Sequence, residues 1–161
     1  MVNKYLGVKI ICAQPMTHGE YTKIKYGEDR IPTEFSEKNK DKKGYFLKYS
    51  EKPSDENAYI SWSPVEAFEE AYREISNLTF GLAIEALKKG KTVTRKGWNG
   101  KGMWIELQTP DAHSKMTKPY IFLVAPKGSN NYYCDDANEF NRVPWLPSIT
   151  DILAEDWCII E

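Results

Sequence analysis

Cysteine and histidine are scarce in this 161-residue chain, which holds three of the first, Cys12, Cys134 and Cys158, and two of the second, His18 and His113. An odd, widely spaced set of cysteines excludes a disulfide framework and fits reduced thiols. The histidines stand at no metal-ligand spacing, so no metal is expected. Charge of one sign is also lacking. A net charge of -1 argues against DNA or RNA polymers as partners, because their phosphates call for a broad basic face. No run of about 18 apolar residues occurs, nor a basic N-terminal stretch leading into an apolar one, so neither membrane spanning nor secretion is expected. The cytosol is the compartment that remains. The G-x-S-x-G, P-loop, HExxH and Rossmann glycine patterns are absent too. Asp135, Asp136, Asp151, Glu155 and Asp156 have no histidine near them in sequence. No catalytic residue and no cofactor is therefore assigned.

Apolar material is sufficient for a core: 41% of residues are hydrophobic and 13% aromatic. Tyr5 to Cys12 reads as a strand stopped by Gln14-Pro15, and Thr17 to Lys43 as a long polar surface loop. Tyr45–Tyr49 and Ala58–Trp62 read as a hairpin. Ser63-Pro64-Val65-Glu66 carries the signature of a helix start, with Ser63 as N-cap and Glu66 closing a capping box. Val65, Phe68, Tyr72 and Ile75 would form that helix's apolar stripe to about Ser76-Asn77, the candidate domain boundary. Thr79 caps a second helix whose apolar residues are Phe80, Ile84 and Leu87, with Gly90 past its end. Val93–Lys96, Met103–Leu107, Tyr120–Val124 and Trp157–Ile160 read as strands, and Ser148–Glu155 as a short helix. The fold class is α+β, with small, mostly antiparallel sheets and packed helices, in two domains, 1–76 and 78–161.

Lys88, Lys89, Lys91, Arg95, Lys96 and Lys101 fall in fourteen residues free of Asp and Glu. Beside Gly97, Gly100 and Gly102 this suits a compact anion; a solvated helix end and turn explains it equally well. Period-two alternation puts Arg95 on the face of Val93, where its charge needs a partner: Asp151 or Asp156 in a structural ion pair, or a bound phosphate. Trp98, Trp104, Trp145 and Trp157 crowd the second half. Some of them are expected to be exposed, for stacking on a nucleobase or for a protein interface. Asp135-Asp136 beside Asn138 reads as an ordinary polar loop.

Two strings then carry a resemblance. Leu78-Thr79-Phe80-Gly81-Leu82-Ala83-Ile84-Glu85-Ala86-Leu87-Lys88-Lys89-Gly90-Lys91, with Val93 and Arg95-Lys96-Gly97-Trp98-Asn99-Gly100-Lys101-Gly102-Met103, resembles the opening of the Thoeris anti-defence family two proteins of phages. Val143-Pro144-Trp145-Leu146-Pro147-Ser148 and Thr150 to Trp157 are similar to that family's closing half. The resemblance implies a small α+β protein that assembles as a homotetramer in the cytoplasm of the infected bacterial host. It would hold cyclic ADP-ribose isomers without cleaving them, and cyclic di- or trinucleotides of CBASS defence are further candidate ligands. Carried over, Arg95, Trp98, Asn99, Trp145, Pro147, Thr150 and Asp151 are the expected ligand-binding residues: the tryptophans for stacking, Arg95 for phosphate, Asn99, Thr150 and Asp151 for ribose or base. Residues 1–75 resemble a short module of phage proteins with no known activity, and Gly128 to Arg142 is a polar insert departing from the family pattern. Two other readings stand beside this one. A nucleotide-processing enzyme would need a metal or a dedicated base among Asp135, Asp136 and Asp151. A structural phage protein would bury its tryptophans at a subunit interface.

Overall fold

The computed structural model describes residues 8–28, 33–126 and 140–160. The chain divides into two compact units, Met1–Tyr72 and Arg73–Glu161. Both are α+β, with antiparallel pairing throughout the described strands.

In the first unit β1 (Cys12–Thr17), β2 (Lys43–Lys48) and β3 (Ile60–Pro64) form a sheet in that order. The expected hairpin is β2–β3, with Phe46 opposite Trp62. Of the expected Tyr5–Cys12 strand, residues 5–7 lie outside the described residues, Val8 to Ile11 are not in a strand, and β1 begins at Cys12 and runs through Pro15, which lies opposite Tyr45. β1 is an edge strand, and an edge tolerates proline because a missing N–H can face away from the ladder.

The polar stretch after Thr17 is not a plain loop. It contains α1 (His18–Tyr26) and α2 (Glu34–Asn39). Thr17 and Glu20 form a reciprocal capping box, and a single buried residue, Tyr21, anchors α1 near the ring of Phe46. One apolar anchor leaves almost no periodic signal in the sequence. The Ser63 cap is likewise corrected. Ser63 stays in β3 opposite Tyr45, α3 spans Val65–Ala71 with Pro64 at its cap, and no side chain caps it. Tyr72 is extended (φ -123°, ψ 151°), so the expected stripe ends before Ile75. Phe68 instead stacks between Tyr45 and Tyr72, with ring centroids 4.0 and 5.0 Å away.

In the second unit β7 (Phe140–Pro144), β6 (Tyr120–Pro126), β5 (Trp104–Gln108), β4 (Thr92–Arg95) and β8 (Trp157–Ile160) lie side by side in that order. β7 was not expected; it takes up the last three residues of the Gly128–Arg142 insert, whose remainder, with Cys134, Asp135, Asp136 and Asn138, lies outside the described residues. α4 (Phe80–Lys88) starts where Thr79 accepts a bond from the Leu82 N–H. It ends before Gly90, whose φ of +77° only glycine adopts without strain. The helix buries Ala83, Ala86 and Leu87 against Val93, Ile105 and Trp157. Leu78 and Trp157 exchange both backbone hydrogen bonds, at 2.8 and 3.1 Å, so the residues entering α4 are tied to the last strand. α5 (Ile149–Ile152) is the expected short helix.

Candidate functional site

Arg95 shares the face of Val93 on β4 and is largely buried, its side chain 14% exposed. Its Nε donates to Asp156 Oδ1 at 2.8 Å, and its Nη1 to Asp151 Oδ1 at 2.7 Å and to the Thr150 carbonyl at 3.4 Å. Of the two partners the sequence left open for it, the structure supplies the carboxylates. Asp156 Oδ2 accepts the Gly97 N–H at 2.7 Å. A Cβ on Gly97 would stand 2.6 Å from that oxygen, so the motif needs glycine there for closeness of approach. The anion bound by the basic, glycine-bearing turn is thus a carboxylate of the same chain.

Asp151 is the centre of the arrangement. Its Oδ1 accepts the indole N–H of Trp98 at 2.9 Å as well as Arg95. Its Oδ2 accepts the Ser148 N–H at 2.9 Å and the Ser148 hydroxyl at 2.6 Å. Its own N–H returns to Ser148 Oγ, completing the capping box of α5, and its carbonyl accepts the indole N–H of Trp157 at 3.0 Å. Above these bonds Trp98, Trp145 and Trp157 meet edge to face, with centroids 5.4 to 6.0 Å apart, and Phe80 adjoins them. Trp157 is fully buried; Trp98 and Trp145 are half-buried. Trp104 sits apart, its N–H on Glu106 and its ring against Phe140.

Five of the seven expected residues therefore converge: Arg95, Trp98, Trp145, Thr150 and Asp151. Asn99 is exposed in the turn beyond Trp98, and Pro147, half-buried, precedes Ser148. Sequence reasoning left out Gly97, Ser148, Asp156 and Trp157 as site residues. The signal for Ser148 was present, as a Ser-x-x-Asp box before an apolar turn. The two cavities described, of about 290 and 130 Å³, lie elsewhere, at Pro15, Lys43 and Tyr45 and at Gln108, Phe122 and Arg142. Among the described residues no group of three or more His, Cys, Asp or Glu is gathered as a metal ion would require.

Burial pushes the Asp151 carboxyl up, but the hydrogen bonds from Ser148, Trp98 and Arg95 outweigh it and hold the group well below the ordinary carboxylate range. The bond from Arg95 lowers Asp156, with the Gly97 N–H adding to it against the cost of burial. Both groups are ionised and paired at neutral pH, which does not suit a proton-transferring acid or base. The sign of the linkage follows from these depressed values. What the two carboxylates contribute to stability is complete above their unfolded value, near 3.8, and is drawn down as the pH falls from there through the folded values. Urea unfolding of the second unit should be flat in this respect from pH 7 to 5 and lose stability steeply below 4. Asp156→Asn should be less stable at pH 7, and its deficit should narrow as the pH falls below the unfolded value; an unchanged gap would show that Asp156 carries no such linkage.

A family model for the Thoeris anti-defense 2-like domain matches residues 78–160. Thoeris anti-defense 2 of Bacillus phage SP01 is 37% identical over 91 residues, covering 53% of this chain and 97% of that protein. The matched span contains every residue of the Arg95–Asp151–Asp156 arrangement and leaves residues 1–77 outside.

Proposed function

The chain belongs to the Thoeris anti-defense 2-like family of phage anti-defence proteins, and on that premise we propose that it sequesters a cyclic ADP-ribose isomer without cleaving it. A phage anti-defence protein acts in the infected host cell, and among the described residues no helix is long and apolar enough to cross a membrane. The observation that supports sequestration is the convergence of the two motifs, 61 positions apart at Arg95 and Asp156, on a rigid ionic frame carrying half-buried indole rings. In this reading Arg95 and Asp151 hold the frame, Trp98 and Trp145 stack on a base, and the exposed Asn99 and Thr150 meet the ribose or base, with Pro147 a further ligand contact. Rigid, prepaid geometry favours affinity, because less ordering is left to the moment of binding. Cyclic di- and trinucleotides are further candidate ligands, and the working form is a homo-oligomer in the host cytoplasm, a tetramer by family likeness.

A sequestering protein acts by stoichiometry and so needs an affinity near nanomolar, about -12 kcal/mol. Calorimetric titration with cyclic ADP-ribose isomers should find such a site, and heat denaturation should return the ligand with unchanged mass. Asn99→Ala should weaken binding at least about tenfold, a step of about 1.4 kcal/mol, at unchanged melting temperature. Recovery of a ring-opened product would replace sequestration by hydrolysis.

A further inference from the structure

The larger of the two cavities described, about 290 Å³, lies within the first unit, outside the span that the family model matches. Its floor is apolar: Pro15 and Met16 of β1, the Tyr45 ring on β2 and Val65 at the start of α3. These walls are held from behind. The Trp62 indole N–H donates to the Met16 carbonyl at 3.0 Å. The Tyr45 hydroxyl donates to Glu69 Oε1 at 3.2 Å, and its ring stacks on Phe68 with centroids 4.0 Å apart. Gly44, also in the lining, must stay glycine, because a Cβ there would collide with the Trp62 ring and the Ser63 carbonyl.

Two charged side chains complete the lining, Glu20 and Lys43, both exposed and so at the mouth. Both stand beside Thr17. Lys43 is its cross-strand partner, and Glu20 Oε2 accepts the Thr17 N–H and hydroxyl, each at 2.8 Å. Those two bonds hold the Glu20 carboxyl below its ordinary value, so it is ionised at neutral pH. Among the described residues no hydrogen bond or ion pair engages Glu20 Oε1 or the Lys43 ammonium. The cavity thus offers one acceptor, one cation and an apolar floor.

We propose that this cavity binds a free α-amino acid with an apolar side chain, its ammonium donating to Glu20 Oε1, its carboxylate accepting from Lys43, and its side chain on Pro15, Met16 and Val65. Charge decides the class. A phosphate-bearing ligand meets Glu20 as a like charge; a simple amine leaves Lys43 unmet, and a simple carboxylic acid leaves Glu20 unmet. A residue within a peptide has neither charge, since both ends are consumed in amide bonds. Size agrees: drug-sized ligands fill about 300–1,000 Å³, so a cavity at the lower limit takes a small molecule. Held walls leave little more than the Lys43 stem to be ordered on binding. Because both charges are exposed and screened, the dissociation constant should be modest, on the order of 0.1–1 mM. This site is independent of the sequestration proposed for the second unit.

The test is a nuclear magnetic resonance titration of the full chain with L-leucine, L-methionine and L-phenylalanine, followed at the backbone N–H groups of Thr17, Gly44 and Val65. At least one of the three should shift these signals and saturate. Glu20→Gln and Lys43→Gln should each weaken that binding about tenfold, the effect of one charge-assisted hydrogen bond. Glutamine also closes a capping box, so α1 and the melting temperature should be kept. The amide of the same amino acid, which has lost its carboxylate, should be indifferent to Lys43→Gln, and the N-acetyl derivative, which has lost its ammonium, to Glu20→Gln. No saturating shift with any of the three, or equal binding by parent and both variants, overturns the site. The reverse pattern with the two derivatives overturns the assignment of the ligand's ends to Glu20 and Lys43.

Discussion

Asp151→Ala is expected to lower the stability of the Arg73–Glu161 unit by about 3–5 kcal/mol, the usual cost of removing one partner from a buried ion pair. The loss has three parts. Arg95 is left with Asp156 alone, in a setting where its side chain is 14% exposed. The Trp98 indole N–H loses its acceptor. α5 loses the carboxylate that caps it through Ser148, which by itself costs about 1 kcal/mol. Asp151→Asn keeps one acceptor oxygen and the shape but not the charge, so it should fall between parent and alanine variant. Urea unfolding followed by near-ultraviolet circular dichroism reads this directly, since Trp98, Trp145 and Trp157 share the region. A loss under 1 kcal/mol for Asp151→Ala would mean that Arg95 is paired adequately by Asp156, and that Asp151 is free to serve a ligand.

Trp157→Ala should cost a comparable amount for a different reason. Its side chain is fully buried, and its removal leaves a cavity among Leu78, Leu87, Val93 and Ile105 while cutting the bond to the Asp151 carbonyl. Truncation of a buried aromatic costs about 3–5 kcal/mol. Trp157→Phe refills most of the volume without the N–H donor, so the difference between the two variants isolates packing from the hydrogen bond. If the phenylalanine variant is as unstable as the alanine one, the indole N–H outweighs the ring's volume, and Trp157 belongs to the polar frame more than to the core.

What the sequence made legible depended on how many residues shared one signal. α4 was readable from end to end because Thr79, the Phe80–Ile84–Leu87 spacing and Gly90 agree, each reporting a separate local preference. α1 was not, since Tyr21 is its one buried residue and the remainder of the helix looks like solvated loop. At Ser63 a local rule lost to a tertiary one: the pairing of Ser63 with Tyr45 keeps the residue in the sheet, and capping geometry is unavailable to a strand residue. Pro15 misled for the complementary reason, because proline ends central strands and not edges. In the site, alternation was enough to turn Arg95 inward, yet nothing local distinguishes a carboxylate of the chain from a ligand phosphate as its partner. That choice was made by β8, which brings Asp156 beside Arg95 through the pairing of Arg95 with Trp157. Long-range pairing of this kind has no trace in a window of sequence.

The tie between the entrance of α4 and the last strand also orders events during synthesis. Every pairing of the first unit is available once Pro64 has been made. In the second unit Arg95 has no carboxylate partner until residues 151 and 156 follow. At the usual elongation rate of roughly 5–20 residues per second, that wait lasts on the order of 3–12 s. Throughout it the chain carries the Arg95 cation and the Trp98 indole N–H without their Asp151 acceptor, and α4 meets Val93 and Ile105 but not yet Trp157. The Arg95–Asp151–Asp156 frame can therefore close only after the strand pairings of the first unit have become available.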